Sequence, residues 1–272
     1  MNILKKIEMY TSRTHLSLFS TLYVNFRLLS FHEAISLPIY IYGKCNICDL
    51  SGKVEIKTKI TRGMIKFGYR QGFFSAPKFG GMLMIQKKCK LVFNGPCMFD
   101  YDYVIRITDK GQVTIGKNIG FGSDTKIYCE QSITIGNFCR IPYGSTFMDT
   151  NYHYSIDTIS GCIYRKSSPI LIGNYNWIGN TSTIMKGTIT SDGCIIASKS
   201  HLNKDYSKLG DGKTCLVLAG SPAKIVRENS TRIMSLIHEK ELNDYFDSNP
   251  TSNKYEDVHI LNKVIKEQSY IS

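Results

Sequence analysis

A short polar stretch carries the side chain best suited to proton transfer. His153 ends the run Asp149-Thr150-Asn151-Tyr152-His153. An imidazole of ordinary pKa, near 6.5, is available in its neutral form at physiological pH. A neutral imidazole can take a proton from a reacting group, which is general-base catalysis. For a lone histidine in a loop, an ordinary surface role is the simpler interpretation, so the residue alone does not decide.

Asp149 opens the same stretch and has two interpretations. Its carboxylate could orient the imidazole and stabilise its charged form, as the carboxylate of a catalytic triad does. It could equally cap a turn by accepting hydrogen bonds from nearby backbone. The two interpretations carry equal weight.

The cysteines predict neither a disulfide framework nor a metal centre. The chain has nine of them, and an odd, scattered set without a signal peptide favours a reducing compartment. Cys45 and Cys48 form the one close pair, but zinc-ribbon spacing requires a second pair. The remaining histidines have no other potential metal ligands near them in the sequence, so no metal is expected.

Composition fits an ordered globular chain with a basic surface. Its 272 residues are 42% hydrophobic and 21% charged, which excludes wholesale disorder. The net charge of +12 favours nucleic acid, an anionic lipid surface or a phosphorylated ligand. Because no nucleic-acid-binding module is recognisable, nucleic acid is disfavoured. Without a spanning segment or secretion signal, we expect a cytoplasmic protein.

The elements that must position these residues follow a period of six. Aliphatic or aromatic side chains stand six apart at Ile115, Phe121, Ile127 and Ile133, then at Ile135, Ile141 and Phe147, and then at Ile172, Ile178, Ile184, Thr190, Ile196 and Leu202. Small or polar residues follow four places on, at Asn176, Ser182, Thr188, Cys194 and Ser200. Such a period fits neither a helix nor strand alternation and is typical of a parallel β-helix. Thr190 is its one weak aliphatic position.

The period predicts a domain organisation. It breaks over residues 149–168, a segment too long for a corner, which must leave the coil as a loop and could carry function. We expect a helical N-terminal cap over 1–50, the coil over 51–226 and a helical tail over 227–272. The cap either packs over the coil or rests, as a basic amphipathic element, on a membrane surface.

Three segments of the coil resemble a known family. Residues 172–179 (IGNYNWIG), 195–200 (IIASKS) and 219–224 (AGSPAK) are similar to the hexapeptide-repeat acyltransferases. The branch resembled is the xylose/galactoside type, which includes O-antigen and capsule O-acetyltransferases. The resemblance is firm over 113–227, weaker over 20–112 and absent from the tail.

The resemblance implies a fold and an assembly. The expected fold is all-β, a left-handed parallel β-helix with an N-terminal helical or extended cap and a C-terminal helical tail. Handedness comes from the family, since the general preference for right-handed crossovers points the other way. The family also implies a homotrimer with its clefts between subunits.

The resemblance further implies roles for named residues. The loop histidine, here His153, is the family's base, and Trp177 lies near the cleft. Asn151 and Tyr152 could bind hydroxyls of the acceptor. The cofactor implied is acetyl-CoA, with the residues expected to contact it at Gly179, Asn180, Ala197, Ser198, Lys199, Lys204, Lys224 and Arg227. In this set a backbone N–H near Gly179 and Asn180 would bind the oxyanion or thioester, and the basic residues would bind phosphates. No metal is implied.

The activity implied is O-acetylation of a sugar hydroxyl in a cell-surface polysaccharide precursor. The acceptor could be lipid-linked, which would bring the protein to the inner face of the membrane. Transfer is expected to be direct, because no serine or cysteine has a paired base. Two alternatives stay open: an amino-sugar N-acetyltransferase on the same scaffold, and a non-catalytic β-helix scaffold protein.

Overall fold

The computed structural model describes residues 15–69 and 79–256. The chain divides into two units, residues 1–230 and residues 231–272. The first unit holds the coil. The start of the predicted cap, 1–14, residues 70–78 and the end of the predicted tail, 257–272, lie outside the described residues.

The coil consists of three parallel sheets that the chain visits in a fixed order, one strand at a time. Sheet one contains β1 (Ile39–Ile41), β4 (Ile65–Phe67), β7 (Cys97–Phe99), β10 (Ile119–Phe121), β13 (Arg140–Ile141), β18 (Trp177–Ile178), β20 (Ile195–Ile196), β22 (Val217–Gly220) and the antiparallel β23 (Ala223–Arg227). Sheet two contains β2 (Cys45–Asp49), β5 (Gly81–Ile85), β8 (Val104–Ile107), β11 (Lys126–Cys129), β14 (Thr146–Met148), β19 (Thr183–Met185) and β21 (His201–Leu202). Sheet three contains β3 (Lys53–Ile56), β6 (Lys90–Phe93), β9 (Gln112–Ile115), β12 (Ser132–Ile135) and β17 (Ile170–Ile172). A chain that winds through three parallel sheets in this way is a parallel β-helix, which confirms the expected fold class.

The six-residue period forms the interior of the coil. In its last turns Ile178 pairs with Ile196 and Ile184 pairs with Leu202, three hexapeptides further on. Every aliphatic position predicted from the period is buried. Thr190 is buried as well, at 4% exposure, and its hydroxyl accepts a hydrogen bond from the Gly173 backbone at 3.2 Å. A threonine can therefore fill an aliphatic position here because its one polar atom has a partner.

Small residues fill the corners, as the sequence predicts. The five residues four places after the aliphatic positions are all buried. Ser182 donates to the Ala197 carbonyl at 3.1 Å, so its hydroxyl links one coil to the next. Stacked glycines form another corner, where a Cβ added to Gly136 would lie 2.6 Å from the Gly173 backbone. Only glycine permits that approach.

Two short helices cover the N-terminal end of the coil. α1 (Leu18–Leu28) and α2 (Phe31–Ala34) precede β1. The buried amide of Asn25 bonds to both the carbonyl and the N–H of Ile39, at 2.7 and 3.2 Å. Val24 and Leu28 are buried beside it. The predicted boundary at residue 50 remains a prediction about domains, although β1 and β2 already belong to the coil before it.

Two further helices lie within the described residues. α3 (Tyr206–Leu209) lies in the last turns of the coil, and α4 (Leu236–Ser248) belongs to the second unit. The Ser235 side chain accepts from the His238 N–H and begins α4. Over residues 15–69 and 79–256, none of the helices combines the length and the apolar composition needed to cross a bilayer.

A buried aliphatic residue should be far more costly to truncate than an exposed one on the same coil. We expect Ile184→Ala to lower the free energy of unfolding by about 2–5 kcal/mol, because it removes methyl groups from a filled interior. The matched control, Leu171→Ala, truncates a side chain that is 47% exposed and should cost less than about 1 kcal/mol. Urea unfolding of both variants measures the difference, and equal losses would contradict the packing described.

Candidate active site

The excursion loop leaves the coil after β14 and returns at β17. Its two ends meet in a bridge between Thr150 and Ser167. The Asn151 N–H donates to the Lys166 carbonyl at 2.8 Å. Further out, β15 (Ser155–Ile156) and β16 (Ile163–Tyr164) form a hairpin. The loop is therefore hydrogen-bonded at its base and along its length.

One carboxylate, that of Glu130, holds both ends of this loop. Its side chain is 9% exposed, at the corner between sheets two and three. Its Oε2 accepts from the Thr150 hydroxyl at 2.7 Å and from the Ser167 hydroxyl at 3.2 Å. Lys166 forms an ion pair with the same oxygen at 2.9 Å and with Asp109 at 3.0 Å. We refer to Glu130, Thr150, Lys166 and Ser167 as the loop clamp.

The loop clamp shifts the pKa values of its charged members. Burial acts to raise the pKa of Glu130, but hydrogen bonds from Lys166 and Thr150 outweigh it and lower the value. Hydrogen bonds to Glu130, and then to Asp109, raise the pKa of Lys166. Both groups are therefore charged at neutral pH, the state in which the ion pair is strongest.

Asp149 is buried under the start of the loop and caps a turn. Its carboxylate accepts backbone N–H groups from Glu130 at 2.8 Å, Gln131 at 2.9 Å and Ser132 at 2.7 Å. The Cys129 thiol donates to it at 3.3 Å. Of the two roles that the sequence left open, this geometry favours the turn cap, because Asp149 forms no hydrogen bond with His153.

His153 is solvent-exposed on the loop, and its neighbour Tyr152 folds back onto the coil. The Tyr152 N–H donates to the Thr150 hydroxyl at 2.9 Å. The Tyr152 ring lies 5.4 Å from the guanidinium carbon of Arg106, a residue of β8. Burial raises the pKa of Tyr152, so its hydroxyl remains a neutral donor. This contact carries the loop over the outer face of sheet two.

A second group of predicted residues meets at the corner between sheets one and two. The Gly179 segment stacks on the next coil so closely that a Cβ on Gly179 would lie 2.3 Å from the Ser198 nitrogen. The Lys199 N–H donates to the Asn180 carbonyl at 2.9 Å. The corner thus brings together five of the predicted residues: Gly179, Asn180, Ala197, Ser198 and Lys199.

The two backbone N–H groups at which the oxyanion donor is predicted differ in whether the coil already uses them. The Gly179 N–H donates to the Ile196 carbonyl at 2.7 Å, so the ladder between coils already uses it. The Asn180 N–H makes no backbone hydrogen bond in the described structure. Of the two backbone N–H groups, that of Asn180 is therefore the one left to bind a ligand oxygen.

The other predicted residues are dispersed. Trp177 is 42% exposed on sheet one, between Arg140 and Ile195 in the register. Lys204 is exposed at the corner from which the loop leaves. Lys224 and Arg227 are exposed on β23. The basic residues predicted to bind phosphates therefore lie on different parts of the coil, with Lys199 between β20 and β21, Lys204 after β21, and Lys224 and Arg227 on β23.

Sequence reasoning missed Glu130, Lys166 and Arg106. A signal for Glu130 was present, because Ile127 pairs with Phe147 one coil later, and the same offset sets Glu130 beside Thr150. Arg106 carried no local signal, because the six-residue period is not regular before residue 113. Its pairing with Tyr128 in the next coil therefore could not be read from the spacing. In the described ranges, no group of three His, Cys, Asp or Glu side chains converges as metal ligands would.

Comparisons with known proteins find acetyltransferases that match part of the chain. A probable macrolide acetyltransferase of Lysinibacillus sphaericus is 31% identical over 113 residues, covering 35% of this chain and 59% of that protein. A putative colanic acid biosynthesis acetyltransferase, WcaF, of Escherichia coli K12 is 27% identical over 124 residues, covering 46% and 63%. The galactoside O-acetyltransferase of the same strain is 30% identical over 122 residues, covering 44% and 56%. No protein-family model matches the chain.

These relatives confirm the resemblance to acetyltransferases that the residues of the coil carry. Each is an acetyltransferase by name, and two are named for a saccharide or a polysaccharide. The matched segments span 56% to 63% of the three relatives, which is less than two thirds of their length. The likeness therefore covers only part of each of those proteins.

Removing the charge of Glu130 should loosen the loop without unfolding the coil. We expect Glu130→Gln to speed amide exchange across residues 150–167 by roughly 10- to 100-fold, because charge-assisted hydrogen bonds contribute about 1.5–3 kcal/mol. Glu55→Gln is the matched control, since Glu55 pairs with Lys57 and Lys90 on sheet three, both at 2.8 Å. Hydrogen exchange read by mass spectrometry checks this. Equal exchange of the loop in both variants would contradict the clamp.

The loop should also open in acid, and the sign follows from the pKa of Glu130. That pKa is lowered from its ordinary 4.5, so the stabilisation is fully present above 4.5 and is lost as the pH falls through the lowered value. Loop protection, corrected for intrinsic exchange rates, should be constant above pH 4.5 and fall below it. Glu130→Gln should show no such acid step. A loss of protection that begins above pH 4.5 would show that another group holds the loop.

Proposed function

We propose that the protein is an acetyl-CoA-dependent O-acetyltransferase that acts on a sugar hydroxyl of a cell-surface polysaccharide precursor. The observation that carries this proposal is an exposed imidazole, that of His153, on a loop fixed to a rigid coil at both ends. The names of the relatives support acetyl as the group transferred and a saccharide as the acceptor. Capsule or O-antigen precursors are the acceptors that the resemblance implies.

The proposed reaction is direct transfer between two bound substrates. The neutral imidazole of His153 takes the proton of the sugar hydroxyl while its oxygen attacks the thioester carbonyl. The tetrahedral oxyanion then collapses, the carbon–sulfur bond breaks, and the CoA thiolate leaves and can take the proton from the imidazolium. Fixing the base and both substrates in one cleft reduces the entropic part of the barrier.

The buried thiols of Cys139 and Cys194 are unsuited to carry a covalent acetyl intermediate. Burial raises the pKa of Cys194 to about 11 and that of Cys139 to about 12. Thiols with such pKa values are protonated at neutral pH and are poor nucleophiles. No such thiol is required if the sugar oxygen attacks acetyl-CoA itself.

The donor would lie along the corner formed by Gly179, Asn180 and residues 197–199. The Asn180 N–H is the proposed hydrogen-bond donor to the thioester or oxyanion, and Lys199 is the proposed cation at the same corner. Lys204, Lys224 and Arg227 are proposed to bind the phosphates of CoA. Asp149 is proposed to act on the reaction by fixing the start of the loop. Asn151, Tyr152 and Trp177 would shape the acceptor side of the cleft.

The proposed assembly is a homotrimer with its clefts between subunits. Within one chain, the His153 loop leaves from the corner of sheets two and three, whereas the proposed donor corner joins sheets one and two. Two copies packed side by side could bring the loop of one to the donor corner of the next. The boundaries proposed for the functional parts are 1–50, 51–226 and 227–272.

The proposed location is the cytoplasm, at the inner face of the membrane when the acceptor is lipid-linked. One face of α1 supports this, because Phe19 is 81% exposed and Leu18 is 68% exposed. Leu22, Tyr23 and Phe26 are exposed on the same helix. Apolar side chains of this kind, together with the net charge of +12, suit an anionic lipid surface.

Replacing the proposed base tests the function. Acetyl-CoA is offered with a panel of glycans that carry free hydroxyls or a free amine, and acetylated products are read by mass spectrometry. His153→Ala should reduce transfer at least ~10²-fold. The control is His32→Ala, an exposed histidine of α2, which should leave the rate unchanged.

Each outcome of that experiment has one meaning. An unchanged rate in His153→Ala would remove the base assignment. Transfer to the amine alone would replace the proposal with amino-sugar N-acetylation. No transfer to any acceptor and no binding of acetyl-CoA would favour a non-catalytic scaffold.

A further inference from the structure

Arg106 lies on the outer face of the coil beside the proposed catalytic loop. It belongs to β8, and its neighbours Ile105 and Ile107 are fully buried, so Arg106 points away from the interior. In the register it pairs with Tyr128, which pairs with Met148 on the strand that leads into the loop. Two strand spacings separate Arg106 from Met148, roughly 10 Å.

The guanidinium of Arg106 has no anionic partner within the described chain. Its Nε is buried and has no hydrogen-bond partner. The one contact found for its head group is the Tyr152 ring at 5.4 Å. A cation–π contact satisfies none of the five N–H donors of an arginine, and a partly buried charge without hydrogen bonds is costly.

The nearby carboxylates are engaged elsewhere. Glu130 accepts hydrogen bonds from Thr150, Ser167 and Lys166. The carboxylate oxygens of Asp149 already accept hydrogen bonds from the backbone of residues 130–132. By contrast, Lys126 on the same face of sheet two is paired with Asp124 at 2.8 Å. Arg106 therefore remains without an anionic partner beneath Tyr152, the residue that precedes His153 in the chain.

We propose that Arg106 binds an anionic group of the acceptor, the carboxylate of an acidic sugar or a phosphate attached to the sugar. A guanidinium presents a planar fork of donors that matches two oxygens of either group. Tyr152 packs on one side of the fork and limits its motion. This inference rests on the proposed function, because it places the anion on the molecule that His153 would deprotonate.

The position of Arg106 favours the acceptor over CoA as the source of the anion. Along sheet two, Arg106 lies on the N-terminal side of β14, from which the loop leaves. The cations proposed for CoA all follow β19 in the chain and lie on the coils beyond it, at Lys199, Lys204, Lys224 and Arg227. The loop thus separates Arg106 from the proposed donor site along the coil axis.

The test compares acceptors that differ in one charged group. Methyl glucoside, methyl glucuronide and glucose 6-phosphate are offered at fixed acetyl-CoA, with wild type, Arg106→Met, Arg106→Lys and the control Lys126→Met. We expect Arg106→Met to lower kcat/KM for an anionic acceptor by roughly 10- to 100-fold, chiefly by raising KM. Transfer to the neutral glucoside should change less than twofold. Arg106→Lys should restore part of the loss, and Lys126→Met should behave as wild type.

Three results would overturn the proposal. One is an equal loss for neutral and anionic acceptors. Another is a rise in KM for acetyl-CoA but not for acetyl-pantetheine, which lacks the nucleotide phosphates and would thereby identify CoA as the source of the anion. The third is a change of assembly in Arg106→Met, seen by light scattering, which would assign the guanidinium to a carboxylate of a neighbouring copy.

A binding measurement separates this proposal from the proposed function. Saturation-transfer NMR with glucuronate and with glucose needs no turnover. If wild type acetylates no acceptor but binds glucuronate in an Arg106-dependent way, the anion site stands and the proposed reaction fails. If neither sugar binds differently to wild type and Arg106→Met, the anion site fails whatever reaction the protein performs.

Discussion

Every other feature of this molecule depends on one packing constraint, which is that each face of the coil must turn at least one aliphatic or aromatic side chain into the interior every time the chain crosses it. Ile178, Ile184 and their equivalents fill it completely, and even the smaller Thr190 is accepted only with its hydroxyl bonded. The corners are as tightly set, because the backbones of successive coils approach within van der Waals contact at Gly136 and Gly179. A scaffold built this way has few internal degrees of freedom. Its chemistry must be carried on outer faces, at corners and on segments that leave the coil, such as the excursion loop.

A buried carboxylate at each of two neighbouring positions transfers that rigidity to the loop. Asp149 binds the backbone of the turn beneath the loop, while Glu130 binds side chains from both ends of it. The two acids therefore have different roles. Asp149 stabilises the corner from which the loop leaves, and Glu130 joins the two ends of the loop at its base. Because Lys166 neutralises Glu130, the clamp needs no partner from outside the chain. An exposed imidazole on such a loop is held by its backbone and not by a bond to its own ring.

The coil could be predicted from sequence because its constraint is periodic and local. The spacing from Ile172 to Leu202 identified the inward positions, and the break after Met148 located the loop. Handedness was not in the spacing and came from the resemblance alone. The clamp could have been found in part, since the offset that pairs Ile127 with Phe147 also brings Glu130 to Thr150. Arg106 could not be predicted, because the early coils contain insertions that hide its register with β11, and because the fold of Tyr152 back onto sheet two depends on tertiary contacts.

The distribution of charge around the loop has a consequence for specificity. Lys166 has a high pKa but two carboxylate partners, so it contributes little net attraction to an approaching anion. Arg106 has the opposite character: its charge is uncompensated and partly desolvated, and interactions with such a group are stronger than those with a solvated surface cation. Electrostatic selectivity at the loop should therefore depend on the arginine beneath Tyr152 and not on the lysine that holds the loop closed. A chain with a net charge of +12 attracts anions over its whole surface, but only a fixed, unpaired donor fork can distinguish one anion's position and geometry from another's.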